Sequence, residues 1–462
     1  MINNFVTSVN AVLWGHILVY LLVFAGLWFS IRLLGIQFRQ FGHMFKLLRI
    51  SGSSDDQGIS SFQALCTSLS ARVGTGNLAG VAIAISLGGP GAVFWMWVIA
   101  MLGMATAFAE SLLAQLYKVR DRNGEFRGGP AYYIQQGLGQ RWLAVIFSIC
   151  LLFGYGFVFS STQANTIADA LNHSYDISEI STAITLVLVA GLVVIGGLRS
   201  VARFSELVVP FMGLAFVIVA LGITVINIAE VPRLLSLILT SAFGWQEAGA
   251  GTFAAALTIG IQRGLFSNEA GAGSVPQAAA AASPNPKHPA VQGYIQMLGV
   301  FIDTIVICSC TAVVILLASD ITAGQEGIQV TQVAMSQHLG VFGGRFIAIA
   351  ITLFGFTSIV ANFAYAESNL HFFKLDSKLG RAVFTVVFLA MIFVGTQIDL
   401  GLMWATADMA FGFMTVVNVV ALLCLSSTVM AVAKTYSQSR SDETFNTKEC
   451  HVQGETEKGI WR

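Results

Sequence analysis

Two short stretches of the sequence carry residues that a hydrophobic segment should not hold. Ser70 to Gly80 reads SARVGTGNLAG, and Ile261 to Gly271 reads IQRGLFSNEAG. An arginine at the centre of a membrane helix costs about 2.5–3.5 kcal/mol on insertion scales, so Arg72 and Arg263 each need a partner. Glycine weakens a helix by about 1 kcal/mol relative to alanine, and Gly74, Thr75, Gly76 and Asn77 crowd weak helix formers together. A helix interrupted there leaves free N–H groups at a half-helix N-terminus, which suit a carboxylate. It also frees carbonyl oxygens, which suit Na⁺ or an ammonium group. Gly264 to Glu269, followed by Gly271 and Gly273, holds a comparable place in the second stretch; Gly80 and Gly271 themselves read as glycines that permit close helix packing.

The carboxylates that could answer the arginines are few. Glu110, Glu206, Glu269 and Glu367 fall in the inner halves of apolar segments, and Asp169 and Asp408 in the outer halves. Arg72 is expected to pair with one of the first set and Arg263 with one of the second. Arg72, Arg263, Glu110, Glu269 and Asp408 are thus candidate gate charges; static interhelical pairing is the competing reading. Nothing else in the chain looks catalytic. There is no HExxH and no Walker A pattern, and Gly74, Gly76 and Gly80 do not match GxGxxG. The six cysteines form no CxxC, and the histidines are scattered, so no transition-metal site is expected.

The elements that must position these residues are membrane helices. Of 462 residues, 55% are hydrophobic and only 10% charged, against about 25% charged in soluble domains. Apolar runs of about 20 residues, each able to cross about 30 Å of hydrocarbon, mark an all-α polytopic membrane protein. Splitting at polar turns gives eleven spans, near 11–34, 60–87, 91–118, 141–171, 181–197, 203–226, 251–282, 291–319, 345–372, 381–399 and 402–434. The N-terminus lacks the basic stretch of a cleaved signal, so the first span reads as retained. With the N-terminus outside, 20 of the 24 Lys and Arg fall on the inner side, two outside and two within spans. That split fits the positive-inside rule and places the C-terminus in the cytoplasm. The tail, 435–462, is polar and is expected to be disordered. A net charge of zero gives no reason to expect nucleic acid, and no obligate protein partner is evident.

At an offset of 191 residues the two odd stretches align. Phe62 meets Phe253, Ala64 meets Ala255, Thr67 meets Thr258, Arg72 meets Arg263, Asn77 meets Asn268, Ala79 meets Ala270 and Gly80 meets Gly271. They lie on spans two and seven, which cross in opposite directions. An antiparallel duplication is the inverted-repeat plan of secondary transporters, here 60–226 and 251–434 with 11–34 as an addition. Two crossed breaks make a midplane pocket suited to a small zwitterion and a cation. Thr357 and Ser358 of span nine are placed to complete a cation site with carbonyls of span two, unless they bond back to their own helix. Gln163 and Asn165 of span four are either pocket wall or interhelical glue.

The segments SSFQALCTSLSARVGTGNLAGVAIAI, GGPAYYIQQGLG, QANTIADAL and RGLFSNEAGAGSVP resemble the alanine or glycine:cation symporters of bacteria and archaea, over nearly the whole chain. That family is similar in fold to LeuT, a five-plus-five inverted repeat. The resemblance implies a secondary transporter of the cytoplasmic membrane, not an enzyme. It would carry small neutral amino acids of the alanine and glycine class inward with Na⁺, or sometimes H⁺, and need no cofactor. It also implies that Thr75, Gly76 and Asn77 contact the substrate carboxylate and that Gln163 lines the pocket. Gly264, Leu265 and Phe266 would meet the amine and side chain; the residue pattern itself makes Gly74, Thr357 and Ser358 the candidate Na⁺ ligands. One departure stands out. Many members carry Gly-Trp where this chain has Ala361-Asn362, which widens the pocket and admits a larger or more polar substrate such as glutamine or serine. A proton-coupled carrier of the same fold is the nearest alternative; a channel, which would call for rings of like charge, fits less well.

Overall fold

The computed structural model describes residues 2–50, 58–121, 124–244, 250–318, 325–438, 445–447, 450–457 and 459–461. Arg122, Arg440, Lys448, Lys458 and Arg462 of the charge count lie outside these residues. Eight helices are long and apolar enough to cross a membrane. They are α1 (Asn3–Arg32), α3 (Gly91–Leu116), α4 (Arg141–Tyr175), α6 (Gly197–Ile226), α8 (Ala290–Leu317), α9 (Val341–Phe372), α10 (Lys378–Gly395) and α11 (Leu400–Cys424). The shorter α5 spans Glu179–Val194. The two remaining elements are interrupted: α2a (Ser61–Arg72) with α2b (Gly76–Gly88), and α7a (Ala250–Asn268) with α7b (Pro276–Ala281).

Local chemistry sets the ends. Ser60 and Gln63 form a capping box: the Gln63 N–H donates to Ser60 Oγ and the Ser60 N–H to Gln63 Oε1, both at 3.0 Å, satisfying two donors at the start of α2a. Ser178, Ser377 and Asp399 cap α5, α10 and α11 by a single side-chain bond, accepting from the N–H of Ser181, Gly380 and Leu402. α6 and α10 turn Leu207, Phe211, Val383 and Val386 outward, whereas α3 and α9 are buried along most of their length. α3, α7a and α8 pack together, and α9 lies against α2a, α4 and α6. Both interruptions thus sit inside the helix packing, where backbone freed from a helix is shielded from lipid.

Several expectations are corrected. The second break begins only at the end of the Gly264 to Glu269 stretch. α7a runs unbroken to Asn268, and the chain unwinds over residues 269–275, where Glu269, Gly271 and Gly273 all take positive φ. Gly264 is a packing residue, since a Cβ there would lie 2.7 Å from Ile99 Cγ2. Gly80 is not a close-packing glycine: its nearest neighbours would be 3.7 and 3.8 Å away. Span eleven ends at Cys424, and Ser426–Gln438 is a separate helix, broken where Ser426 and Ser427 interrupt the apolar run. Among the described residues, helices also occupy connections read as loops: Ile36–Arg39, Phe41–Ile50, Pro130–Leu138, Val231–Ala242 and Ile328–Leu339.

The described part of the tail is also ordered against the core. The Trp461 indole N–H donates to the Gln115 carbonyl at 3.0 Å, and the Glu455 N–H to the Gln136 carbonyl at 3.2 Å. Phe445 and Trp461 are buried, edge to face, with ring centroids 5.8 Å apart. A polar composition hid two aromatic anchors, and each buries far more apolar area than its neighbours.

Candidate functional site

The first break opens where α2a ends at Arg72. Val73 leaves the helical region (φ −80°, ψ 87°), and the chain re-enters a helix near Thr75. Asn77 holds the turn: the Gly74 N–H donates to Asn77 Oδ1 at 2.9 Å, and Asn77 Nδ2 donates to Asp303 Oδ1 at 2.7 Å. The second break is held in a similar way. The Ala270 N–H donates to Asn268 Oδ1 at 3.0 Å, and Asn268 Nδ2 donates to Thr304 Oγ1 at 3.2 Å. The two asparagines aligned at offset 191 therefore reach consecutive residues of α8. Glu110 supports the second break from α3, accepting from the Gly271 N–H at 3.1 Å and from Asn418 Nδ2 at 3.0 Å. It does not line the cavity described next, so the structure gives it a bracing place rather than a gating one.

Between the breaks lies a narrow cavity with about 10 Å³ of free space. Its polar lining comes from Arg72, Gln163, Glu269 and Asn362, with Tyr155. Phe159, Phe266 and Phe411 supply aromatic wall, and Gly76 gives backbone access. Of the expected substrate contacts, Gly76, Gln163, Phe266 and Asn362 meet here. Thr75, Asn77, Gly264 and Leu265 do not line it. Asn77 is committed to Asp303, and Thr75 donates its N–H to Gln163 Oε1 at 3.0 Å. Asn165 instead donates to the Gly395 and Ile398 carbonyls, at 2.9 and 2.8 Å, and so ties α4 to the end of α10.

Arg72 does not form the ion pair expected of it. Its guanidinium donates to the Gln296 carbonyl at 3.3 Å, while Nε and Nη2 have no hydrogen-bond partner and no carboxylate lies in ion-pair range among the described residues. Glu206 receives Gln63 instead, and Glu367 pairs with Arg381 at 2.5 Å. Glu269, on the cavity wall, accepts from Ser274 Oγ at 2.7 Å. Asn362 Oδ1 is buried without a partner. A buried polar atom left unpaired costs about 1–3 kcal/mol, and these donors and this acceptor fall on residues that line the cavity.

Above this cavity Arg263 pairs with Asp408 and is buried with it. Its guanidinium carbon lies 5.1 Å from the Trp404 ring and 5.5 Å from the Phe266 ring, and those rings are 5.0 Å apart. Phe266 faces the cavity, whereas Arg263, Trp404 and Asp408 line a wider pocket beyond it with Asn10, Gln262 and Gln325. An ion pair and two aromatic rings tilted at 41° therefore separate two compartments.

Ser358 sits beside the first break. Its hydroxyl lies 2.9 Å from the Ser70 carbonyl, 3.0 Å from that of Phe354 and 3.4 Å from that of Val73. One hydroxyl proton can serve one carbonyl at a time, so oxygen lone pairs outnumber donors. A Cβ on Gly74 would stand 2.4 Å from Ser358 Oγ. Thr357 turns its hydroxyl back to Phe354 O at 2.9 Å, and the Ser358 contact with Phe354 O is likewise a bond within its own helix, so the carbonyls from elsewhere are those of Ser70 and Val73. Asp303 was missed altogether by sequence reasoning. It is fully buried in α8 and accepts from Asn77, from Ser267 at 2.9 Å and from Thr304 at 2.7 Å. A lone aspartate in the apolar run GVFIDTIVIC was the available signal.

The match to the sodium:alanine symporter family model extends over residues 1–450. The chain belongs to the sodium:alanine symporter family. It is thus a membrane transporter of the Na⁺-coupled amino-acid class and not an enzyme. An uncharacterized transporter of Escherichia coli K12, YaaJ, is 48% identical, the alignment covering 95% of this chain and 93% of that protein. The probable sodium/glutamine symporter GlnT of Bacillus subtilis 168 is 42% identical over 95% and 92%. Among solved structures, this sodium:alanine symporter family chain shares the fold of a Na⁺-coupled sialic acid symporter in its substrate-bound outward-open state. The TM-score is 0.54 at 15% identity, covering 96% and 93% of the two chains.

Proposed function

We propose that this protein carries a small neutral amino acid into the cell together with Na⁺, by alternating access around the cavity between the two breaks. The observation that carries this reading is the oxygen cluster at Ser358. Three carbonyls and one hydroxyl converge beside an unwound helix, with fewer protons than acceptors, which is the arrangement a bare cation completes. Gly74 and Thr357 flank it. Asp303, ringed by Asn77, Ser267 and Thr304, offers a second, charged cradle. Arg72 and Glu269 put opposite charges on one cavity wall, which matches the two ends of an amino-acid zwitterion. Asn362 with its free Oδ1 favours a polar neutral side chain, glutamine or serine, over strict alanine and glycine selectivity; a relative bearing the name sodium/glutamine symporter is consistent with that.

In this reading α1 to α11 are eleven spans, with α2–α6 and α7–α11 as inverted five-helix repeats of the LeuT plan and α1 as an addition. The N-terminus is outside, the C-terminus cytoplasmic and the bilayer the inner membrane. The layer of Arg263, Asp408, Trp404 and Phe266 is the outer gate, closed. The buried carboxylates Glu110, Glu269 and Asp303 favour proton coupling as the second reading. Counterflow of radiolabelled glutamine, serine, alanine and glycine in proteoliposomes decides between them. Accumulation should require Na⁺ and collapse when choline replaces it. Accumulation driven by a pH gradient in choline, with no response to Na⁺, would overturn the sodium assignment.

A further inference from the structure

α1 ends at Arg32 after a face of exposed apolar residues that includes Tyr20, Phe24, Leu27 and Ile31. Such a face meets acyl chains, and the first arginine beyond it marks the water boundary. At that level a cleft of about 410 Å³ opens between the end of α1, α8 and helix Ser426–Gln438. Its rim carries Arg32, Arg39 and Lys434, all exposed. No carboxylate lines it, and none of the three cations forms an ion pair among the described residues. Arg32 rests on the Trp28 ring at 5.5 Å, and Arg39 reaches only the Leu34 carbonyl at 3.4 Å. Tyr294, Ser437 and Gln40 add hydrogen-bond donors, and Leu33, Leu34 and Met430 form an apolar wall continuous with the lipid-facing surface.

Three uncompensated cations around an apolar slot at the membrane boundary match one kind of ligand. We propose that this cleft is a binding site for an anionic phospholipid, its phosphate held by Arg32, Arg39 and Lys434 and its chains laid along Leu33 and Leu34. A zwitterionic lipid would bring its own cation into an already positive rim, so the site selects against it. A soluble anion would gain the charges but leave the apolar wall wet. The bound lipid would fasten α1 to α8 and to the helix that follows α11. Only the assignment to the cytoplasmic leaflet rests on the orientation proposed above.

The test reads lipid binding alone, so it stands or falls apart from the transport reading. The purified full chain is titrated with phosphatidylglycerol and, in parallel, phosphatidylcholine, and retained lipid is counted by native mass spectrometry. Each cation near an anionic headgroup is worth about fivefold in affinity. Arg32→Gln/Arg39→Gln/Lys434→Gln should therefore weaken phosphatidylglycerol binding about a hundredfold and leave phosphatidylcholine unchanged. Lys434→Gln alone, at an exposed position, should weaken it about fivefold and serves if the triple variant does not fold. Equal retention of the two lipids by the parent chain, or phosphatidylglycerol retention that Lys434→Gln does not change, would overturn the proposal. So would inorganic phosphate displacing the lipid at equal concentration, which would make the site one for a free anion.

Discussion

The two helix breaks share a plan and differ in their arginines. Asn77 and Asn268 each accept a backbone N–H at their own break and each reach α8, at Asp303 and Thr304. Arg72 and Arg263 occupy matching places in the sequence, yet one has no ion pair and lines the cavity, while the other is paired with Asp408 and covered by Trp404. A buried guanidinium with unused donors is poorly stabilised unless something arrives to meet it. A paired one is a finished structural contact. The same residue type at equivalent positions is thus left without an ion pair in one half and paired in the other.

The strongest way to test this contrast is through the glycines. Gly74→Ala would drive a methyl against Ser358 Oγ and is expected to lower Na⁺-dependent uptake at least a hundredfold. Gly80→Ala meets only ordinary contacts and should retain uptake within about twofold. A tolerated Gly74→Ala would remove the oxygen cluster from the mechanism. The arginines come next. Asp408→Asn leaves Arg263 buried without its partner and should destabilise the protein by about 3–5 kcal/mol, read as thermal unfolding in detergent. Arg263→Gln combined with Asp408→Asn should recover much of that loss. Arg72→Gln should abolish uptake with little fall in stability; a large fall would make it a structural residue like Arg263.

A smaller effect is expected at the pocket wall. Asn362→Trp should shift competition from glutamine and serine toward alanine and glycine by about tenfold, about 1.4 kcal/mol. An unchanged profile would take Asn362 out of substrate selection. The smallest effect lies outside the membrane, in the loop before α8. His288 packs against Phe445 and Tyr436, with ring centroids 4.6 and 4.9 Å away, and burial lowers its pKa from 6.5 to about 3. The native state holds the imidazole neutral, so its contribution is present above pH 6.5 and declines as pH falls toward 3. His288→Gln should flatten the acid limb of a plot of unfolding temperature against pH; an unaltered limb would assign the acid sensitivity to other groups.

The helical segments, the first break and the existence of a charged partner for Arg263 were legible because each rests on a local rule: hydropathy over a span, a glycine cluster, an arginine in an apolar run. The second break was displaced by a few residues because glycine count alone does not separate Gly264, which packs, from Gly271 and Gly273, which take positive φ. The partner of Arg72 was misjudged because it is a backbone carbonyl, and any residue type supplies one. Asp303 was overlooked because two of its three donors, Asn77 and Ser267, come from other segments of the chain. Gln163 and Asn165 show the same limit: two amides on one helix, one facing the cavity and one tying α10, separated only by which way the helix turns.

The packed tail has a consequence for how the chain is made. The Gln115 carbonyl and the Trp461 indole are 346 residues apart. At about 5–20 residues per second, the groove at the end of α3 stays without its aromatic cover for roughly 20–70 s of synthesis. A ribosome that stalls before Phe445 releases a protein with its helices in place and this groove bare.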